Sequence, residues 1–232
     1  MIEVKNIGYR YPKGEAVLDN FSLTIAEGGV YGLLGKNGTG KSTLLYVITG
    51  LLRAQSGELS IDGMDPVKRE AELKKELFLV PEEFDMPDVK LADYVKAQKP
   101  FYPRFDEQLM NDCLAEFDMQ PNVNMKRLSM GQKKKVFICF ALATNTRYLF
   151  MDEPTNGLDI LAKKQFRQVL VKGMSDDKTI LISTHQVHDV EHVLDHVIIM
   201  ERNNVLLQQP LVEDEDGPIN LEQMFIDTVE RR

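Results

Sequence analysis

The apolar positions of this chain change rhythm several times, and each change marks a different kind of structure. At the start, IEVKNIGYRY and VLDNFSLTI alternate apolar and polar residues on either side of the turn PKGE, as two half-buried strands of a hairpin-type unit do. VYGLLG is instead a continuous apolar run, the pattern of a strand buried on both faces of a parallel sheet, and a glycine-rich turn separates it from the helical pattern STLLYVITGLL. GELSIDG reads as a short strand, Val67 to Lys75 as a helix, and ELFLVP as another buried strand. From Met86 to Arg127, prolines at 87, 100, 103 and 121 punctuate helical patterns such as FDEQLMNDCLAEF, which predicts a helical insertion. Beyond it come a helix through VFICFALA, the strand YLFMDE, a helix from Ile160 to Lys172, the strand TILIST, a helix from Gln186 and the strand VIIM. Such alternation predicts an α/β fold with a mainly parallel sheet covered by helices. NLEQMFIDTVERR closes the pattern as a short, peripheral amphipathic helix.

Composition narrows the classes of function. With 232 residues the chain suits one large domain or two small ones. Its 36 acidic against 28 basic side chains give a net charge of −8, which repels nucleic acid and anionic membrane surfaces at long range, so no nucleic-acid partner is expected. Cys113 and Cys139 have no paired-ligand spacing, so neither a disulfide framework nor a zinc site is expected, and a reducing compartment fits. MIEVKNIGYRY lacks the features of a signal peptide, and no run approaches the ~20 apolar residues needed to span a bilayer. No direct membrane insertion is expected; work at a membrane would require another polypeptide to supply the spanning part. The acidic run Glu213 to Asp216 reads as a solvated turn.

Three segments carry chemistry. GKNGTGKS, Gly35 to Ser42, fits G-x-x-x-x-G-K-[ST], and a buried strand enters it while a helix leaves it, as phosphate binding requires. Its glycines let the backbone wrap phosphates and aim N–H groups at them, and the helix N-terminus adds its dipole. Gly35, Asn37, Gly38, Gly40, Lys41, Ser42 and Thr43 are the candidate nucleotide-binding residues, with Lys41 neutralising the β and γ phosphates and Ser42 holding Mg²⁺. YLFMDE ends a buried strand in two carboxylates. Both motifs leave a parallel sheet at its carboxyl edge, so Asp152 can reach the Mg²⁺ shell and Glu153 can act as general base on the attacking water. TILISTHQ places His185 beyond a third strand, facing the phosphate site. His188, His192 and His196 recur every four residues; on a helix, Val190, Val193, Leu194 and Val197 would occupy the opposite face, which puts these histidines in solvent and disfavours a metal site. In LSMGQKKK, Ser129 followed by Gln132 has the form of a capping box opening a helix.

These motifs, in this order, resemble those of the ATP-binding subunits of ABC transporters, over nearly the whole chain to about Met200. GKNGTGKS is similar to the Walker A loop, YLFMDE to Walker B, LSMGQ to the signature LSGGQ, NGLD to the D-loop, and His185 to the switch histidine. KPFYPRFD resembles exporter ATPases of the bacitracin-resistance type. The resemblance implies a P-loop NTPase fold, RecA-like, with an N-terminal antiparallel β part. It implies one domain: residues 1–85 and 128–205 as the nucleotide-binding core, 86–127 as a helical subdomain, and 206–232 as a short tail. It implies ATP and Mg²⁺ as cofactors, and Tyr11 as the ring that stacks on adenine, although a core tyrosine fits that residue equally. It implies head-to-tail pairing with a second ATPase copy, in a homodimer or a related heterodimer, so that Ser129, Gly131 and Gln132 meet ATP held by the other copy, with Asp159 at the same junction. It also implies an integral membrane permease as partner and a cytoplasmic location on the inner face of the membrane. Two residues depart from the family pattern: Met130 replaces a glycine, and Glu82 stands where a glutamine normally contacts the metal. Glu82 is a candidate Mg²⁺ ligand or, if the alignment is shifted by one, a solvated loop residue like Glu83. A soluble assembly ATPase of the same fold, of the kind serving iron–sulfur cluster assembly, is the rival reading.

Overall fold

The computed structural model describes residues 1–201, 204–211 and 220–230. The acidic run expected to be a solvated turn lies outside these residues. Among the described residues there are two sheets. The smaller joins β1 (Ile2–Arg10), β2 (Ala16–Ile25) and β4 (Ser56–Ile61) in the antiparallel order β2-β1-β4. The larger has the order β5-β6-β7-β3-β8-β9, built from β3 (Gly29–Leu34), β5 (Leu77–Val80), β6 (Tyr148–Asp152), β7 (Thr179–Thr184), β8 (His196–Glu201) and β9 (Asn204–Pro210). All its pairs are parallel except β8 with β9.

The alternation in β1 and β2 slips once in each strand. Ile2 and Val4 are buried, then Ile7 and Tyr9, an odd step that a regular strand would turn to the opposite face. Asn6 (φ 53°) and Asn20 (φ 52°) absorb the slip in left-handed conformation, which asparagine tolerates through its short polar side chain. The pairing register shifts between Val4 and Ile7, and the Asn6 N–H is satisfied by the Ser22 hydroxyl at 2.9 Å.

One core lies between the small sheet, α1 (Lys41–Ile48) and one face of the large sheet, with Ile2, Phe21, Leu33, Leu45, Phe150 and Leu181 buried. The other lies beneath the opposite face, against α5 (Met130–Ala143) and α6 (Ile160–Lys172), and extends into the helices of residues 86–127. There Phe140 of α5 meets Tyr94, Phe105, Tyr102 and Phe78 with ring centroids 5.2–6.1 Å apart, joining the insertion to the sheet. The insertion holds α3 (Leu91–Gln98), α4 (Glu107–Glu116) and two 3-10 turns, with no strand of its own.

Three expectations need correction. The segment Val67 to Lys75 is two pieces, a 3-10 turn Pro66–Lys68 capped by Asp65 and the short α2 (Ala71–Lys74), because Arg69 turns left-handed between them (φ 55°). The segment after Gln186 is no α-helix but two 3-10 turns, Val187–Asp189 and Glu191–Val193. Only eleven residues link β7 to β8, and they must bury Val187, Val190 and Leu194 while bringing Asp195 back to β3. There the Asp195 N–H donates to the Val30 carbonyl at 2.8 Å and its carboxylate accepts the Val30 N–H at 2.8 Å. His188, His192 and His196 therefore share no helix face: the first two are exposed, and His196 begins β8 with its ring stacked on Tyr31 at 4.4 Å. Finally, residues 204–210 form a strand, so a core ending at 205 would cut β9 in two. As a half-exposed edge strand ending in Pro210, β9 carries too weak a pattern to be seen in the sequence. Helix α7 (Leu221–Glu230) docks through Leu221, Met224, Phe225 and Val229.

Candidate functional site

The parallel pairing aligns the carboxyl ends of four strands: Val80 lies beside Met151, Asp152 beside Ser183, and Leu34 beside Thr184. The residues that follow those ends therefore converge on one edge, where open α/β sheets bind ligands. They form a cleft of about 510 Å³ lined by Tyr11, Asn37, Gly38, Gly40, Lys41, Ser42, Thr43, Glu82, Glu153 and His185 from the sequence reading, and by Val17 and Asn156, which that reading missed.

The loop after β3 is shaped for close backbone approach. A Cβ on Gly35 would lie 2.6 Å from the Met200 carbonyl oxygen of β8, and Gly40, the residue before α1, is left-handed at φ 96°. Lys41 is 5% exposed, with Nζ donating to the carbonyls of Gly35 (2.7 Å) and Lys36 (3.2 Å) and lying 3.8 Å from Glu153 Oε1. Burial lowers its pKa, while Glu153, Asp152 and Glu82 pull the other way.

Asp152 is 1% exposed. Its Oδ1 accepts hydrogen bonds from Ser42 Oγ at 3.0 Å and from Ser183 Oγ, whereas its Oδ2 is buried with no hydrogen-bond partner among the described residues. Burial raises its pKa, and the two serine hydroxyls offset that only in part. A buried carboxylate oxygen left over beside a serine hydroxyl and a phosphate loop is the donor set a hard, oxygen-seeking cation such as Mg²⁺ takes, so the residues fit that ion.

Glu153 turns left-handed at φ 43°, an uncommon backbone for a side chain of this size, of the kind that clusters at functional sites. Its N–H is held by the Ser183 carbonyl at 3.0 Å. Its Oε1 is 2.8 Å from His185 Nδ1, and its Oε2 accepts from Thr184 Oγ1 at 3.2 Å. The carboxylate is thus fixed at the cleft wall. Glu82 accepts a hydrogen bond from Asn156 Nδ2 at 2.8 Å. Tyr11 is 40% exposed, packs edge-on against Tyr9 at 5.0 Å, and has its hydroxyl 3.3 Å from Thr43 Oγ1.

Four sequence-predicted residues stand apart from this cleft. Ser129 caps α5 in a reciprocal box: Gln132 N–H donates to Ser129 Oγ at 3.3 Å, and Ser129 N–H to Gln132 Oε1 at 3.0 Å. Gly131, half-buried, follows on the same helix start, and Asp159 caps α6 by accepting the Ala162 N–H at 2.8 Å. The sequence reading also passed over Ser183 and Thr184, although a strand ending in Ser-Thr-His at this edge was a legible signal, and Asn156, which sits in the NGLD run.

Comparison with known proteins agrees with this geometry. The sequence model of the ABC transporter family matches residues 18–156, more than half of the chain. The chain is 30% identical over 229 residues to the lantibiotic transport ATP-binding protein SrtF of Streptococcus pyogenes, covering 97% of this chain and 96% of that protein. It is 28% identical over 227 residues to the ABC transporter ATP-binding protein YtrB of Bacillus subtilis, covering 97% and 77%. Among solved structures, it superposes with a TM-score of 0.78 and 27% identity on the ATP-binding cassette MJ0796 in its dimeric post-hydrolysis state with ADP and Pi, covering 92% of this chain and all of that one. An ATP-binding subunit of an ABC transporter matches its fold with a TM-score of 0.84 at 23% identity, covering 99% and 100%. A phosphate loop, a buried acidic strand end and a family match across both place this chain in the ABC transporter family, as an ATP-binding domain that hydrolyses ATP.

Proposed function

We propose that this chain pairs head to tail with a second copy across two ATP molecules and drives a separate membrane permease, in the direction of export, from the cytoplasmic face of the membrane. The observation that carries hydrolysis is the fixed pair Glu153 and His185 beside Lys41. In this reading Lys41 leaves the Gly35 and Lys36 carbonyls for the β and γ phosphates, and the loop's N–H groups and the start of α1 receive the remaining phosphate charge. Glu153 accepts a proton from the attacking water, and His185 holds its carboxylate in the required orientation. Mg²⁺ would be held by Ser42 and Asp152 and, when bound, would neutralise charge on the phosphates. Glu82, occupied by Asn156, lies within electrostatic reach of Lys41 and serves as a further carboxylate toward the metal. Tyr11, at the cleft mouth, offers its ring to the base.

Pairing is supported by the position of the signature. Ser129, exposed, and Gly131, half-buried, form a capped helix start, an anion-binding arrangement that does not line the chain's own cleft and so suits a phosphate presented by another copy. Ile160, 89% exposed, and Leu161, 62% exposed, stand beside Asp159 at the same junction, apolar surface that a second copy would cover.

The permease reading is supported by a second groove, about 470 Å³, lined by Leu51, Leu73, Phe78, Tyr102, Phe137 and Pro81, the residue before Glu82. A short apolar segment of a permease seated there would press on the strand end that carries Glu82, linking the partner to the nucleotide cleft. No helix among the described residues is long and apolar enough to cross a membrane. Export is supported by the KPFYPRFD resemblance. The test is to tag the chain in its host and purify it from detergent-solubilised membranes. Recovery of ATPase activity together with a polytopic membrane protein supports the proposal; recovery only from the soluble fraction overturns the permease and favours the assembly ATPase.

A further inference from the structure

Lys134 is a lysine that the proposed chemistry leaves unused, although it is only 5% exposed. It sits one turn into α5, five residues after Ser129, and its Nζ donates to two carbonyls of another segment: Glu153 at 3.1 Å and Asn156 at 2.8 Å. Those two residues are the ends of one turn, closed by the Asn156 N–H donating to the Glu153 carbonyl at 3.2 Å. The first end carries the carboxylate aimed into the cleft, in left-handed backbone; the second holds Glu82 through its side chain. Burial lowers the pKa of the ammonium against the opposing pull of Glu82, Glu153, Asp152 and Glu83, so the fold keeps a cation here at a desolvation cost that a neutral side chain would avoid.

We infer that Lys134 is a positioning residue for hydrolysis: its ammonium clamps both ends of the Glu153–Asn156 turn and thereby fixes the strained backbone from which Glu153 reaches the attacking water. The inference rests on the proposed role of Glu153 as base. Because Lys134 belongs to the helix that begins at Ser129, the clamp also ties the chain's own base to the helix start that meets the other copy's phosphate. Lys134 does not line the cleft, so its loss should slow chemistry more than ATP binding.

The test uses the full-length protein with Lys134→Met, which keeps most of the side chain's bulk but has no donor, and Lys134→Gln, which keeps an amide donor. Steady-state ATPase, affinity for a fluorescent ATP analogue and ATP-dependent dimerisation by size exclusion are measured for both, with Glu153→Gln alongside. For Lys134→Met the expected result is a kcat at least ~10-fold lower, an ATP affinity within about threefold of the parent, and an accumulated ATP-bound dimer, with Lys134→Gln recovering part of the rate. A kcat within about twofold of the parent for Lys134→Met overturns the inference. So does a parallel fall in kcat and ATP affinity that Lys134→Gln fails to relieve, since that is the signature of lost packing. If Lys134→Met does not fold, Lys134→Leu, also without a donor, decides in its place: reduced kcat at parental affinity supports the clamp, and parental kcat refutes it. Parental turnover in Glu153→Gln instead removes the base assignment, an outcome distinct from parental turnover in the Lys134 variants alone.

Discussion

Asp152→Asn should make the nucleotide-free protein more stable while destroying its use of Mg²⁺. The parental carboxylate is 1% exposed, and its Oδ2 meets no hydrogen-bond partner in good geometry among the described residues, so an ionised group is held out of water with acceptor capacity unmet. Leaving a buried polar group unsatisfied costs about 1–3 kcal/mol, more when it is charged. Asparagine keeps the Oδ1 acceptor for Ser42 and Ser183 but still leaves its amide nitrogen unpaired, so only the charge-related part is recovered. That part is about 1 kcal/mol, or roughly 2–4 °C in Tm for a domain of this size. Burial raises the pKa of Asp152 above its ordinary 3.8, which fixes the sign of the pH dependence. The parental contribution is greatest below 3.8 and falls as pH rises through the raised folded-state value. The advantage of Asp152→Asn should therefore vanish near pH 3.8, grow above it and level off once the folded carboxyl has ionised. The assay is thermal unfolding across that range, with and without MgATP. MgATP should raise the parental Tm by mass action and that of the variant much less. An apo Tm below the parent at neutral pH would show that fixed protein partners already stabilise the carboxylate, and the metal argument would lose its footing.

Glu82→Gln should preserve the contact with Asn156 through the amide oxygen while removing a charge near Lys41, and so shift the Mg²⁺ dependence of ATP hydrolysis; an unchanged titration counts against a metal role for Glu82. Ser129→Ala removes the cap of α5 and should cost about 0.5–2 kcal/mol in denaturant unfolding. The same change should weaken ATP-dependent dimerisation beyond that stability loss, and a variant that dimerises like the parent would confine Ser129 to capping.

What the sequence made legible is what local spacing encodes. GKNGTGKS must follow a buried strand and open a helix to bind phosphate, and it does both. YLFMDE and TILIST announce themselves as continuous apolar runs, and parallel pairing aligns their ends without further instruction. The features that escaped are set by contacts distant in the chain. The phase slips at Asn6 and Asn20 show in the sequence only as an extra polar residue in each strand; it takes the pairing of β1 with β2 to show that the backbone turns left-handed there to keep one face buried. The spacing of His188, His192 and His196 imitates a helix, yet the short path back to β3 and the burial of Val190 and Leu194 leave room only for 3-10 turns. Ser183 becomes part of the site because it lies beside Asp152 in register, and Lys134 because α5 passes beneath the Glu153 turn. Side chains whose importance comes from what they hold in place leave little trace in a linear pattern.

The central claim, that two copies of this chain close over ATP and that Glu153 drives its hydrolysis, is tested most directly by Glu153→Gln with MgATP. The glutamine keeps the shape of the side chain but cannot accept the proton from water, a loss typically worth about 10²–10⁴ in rate. Light scattering coupled to size exclusion should show a dimer with two retained ATP molecules, and turnover should be at background. A monomer that nonetheless binds ATP would contradict the paired arrangement, and parental turnover would contradict the assignment of the base.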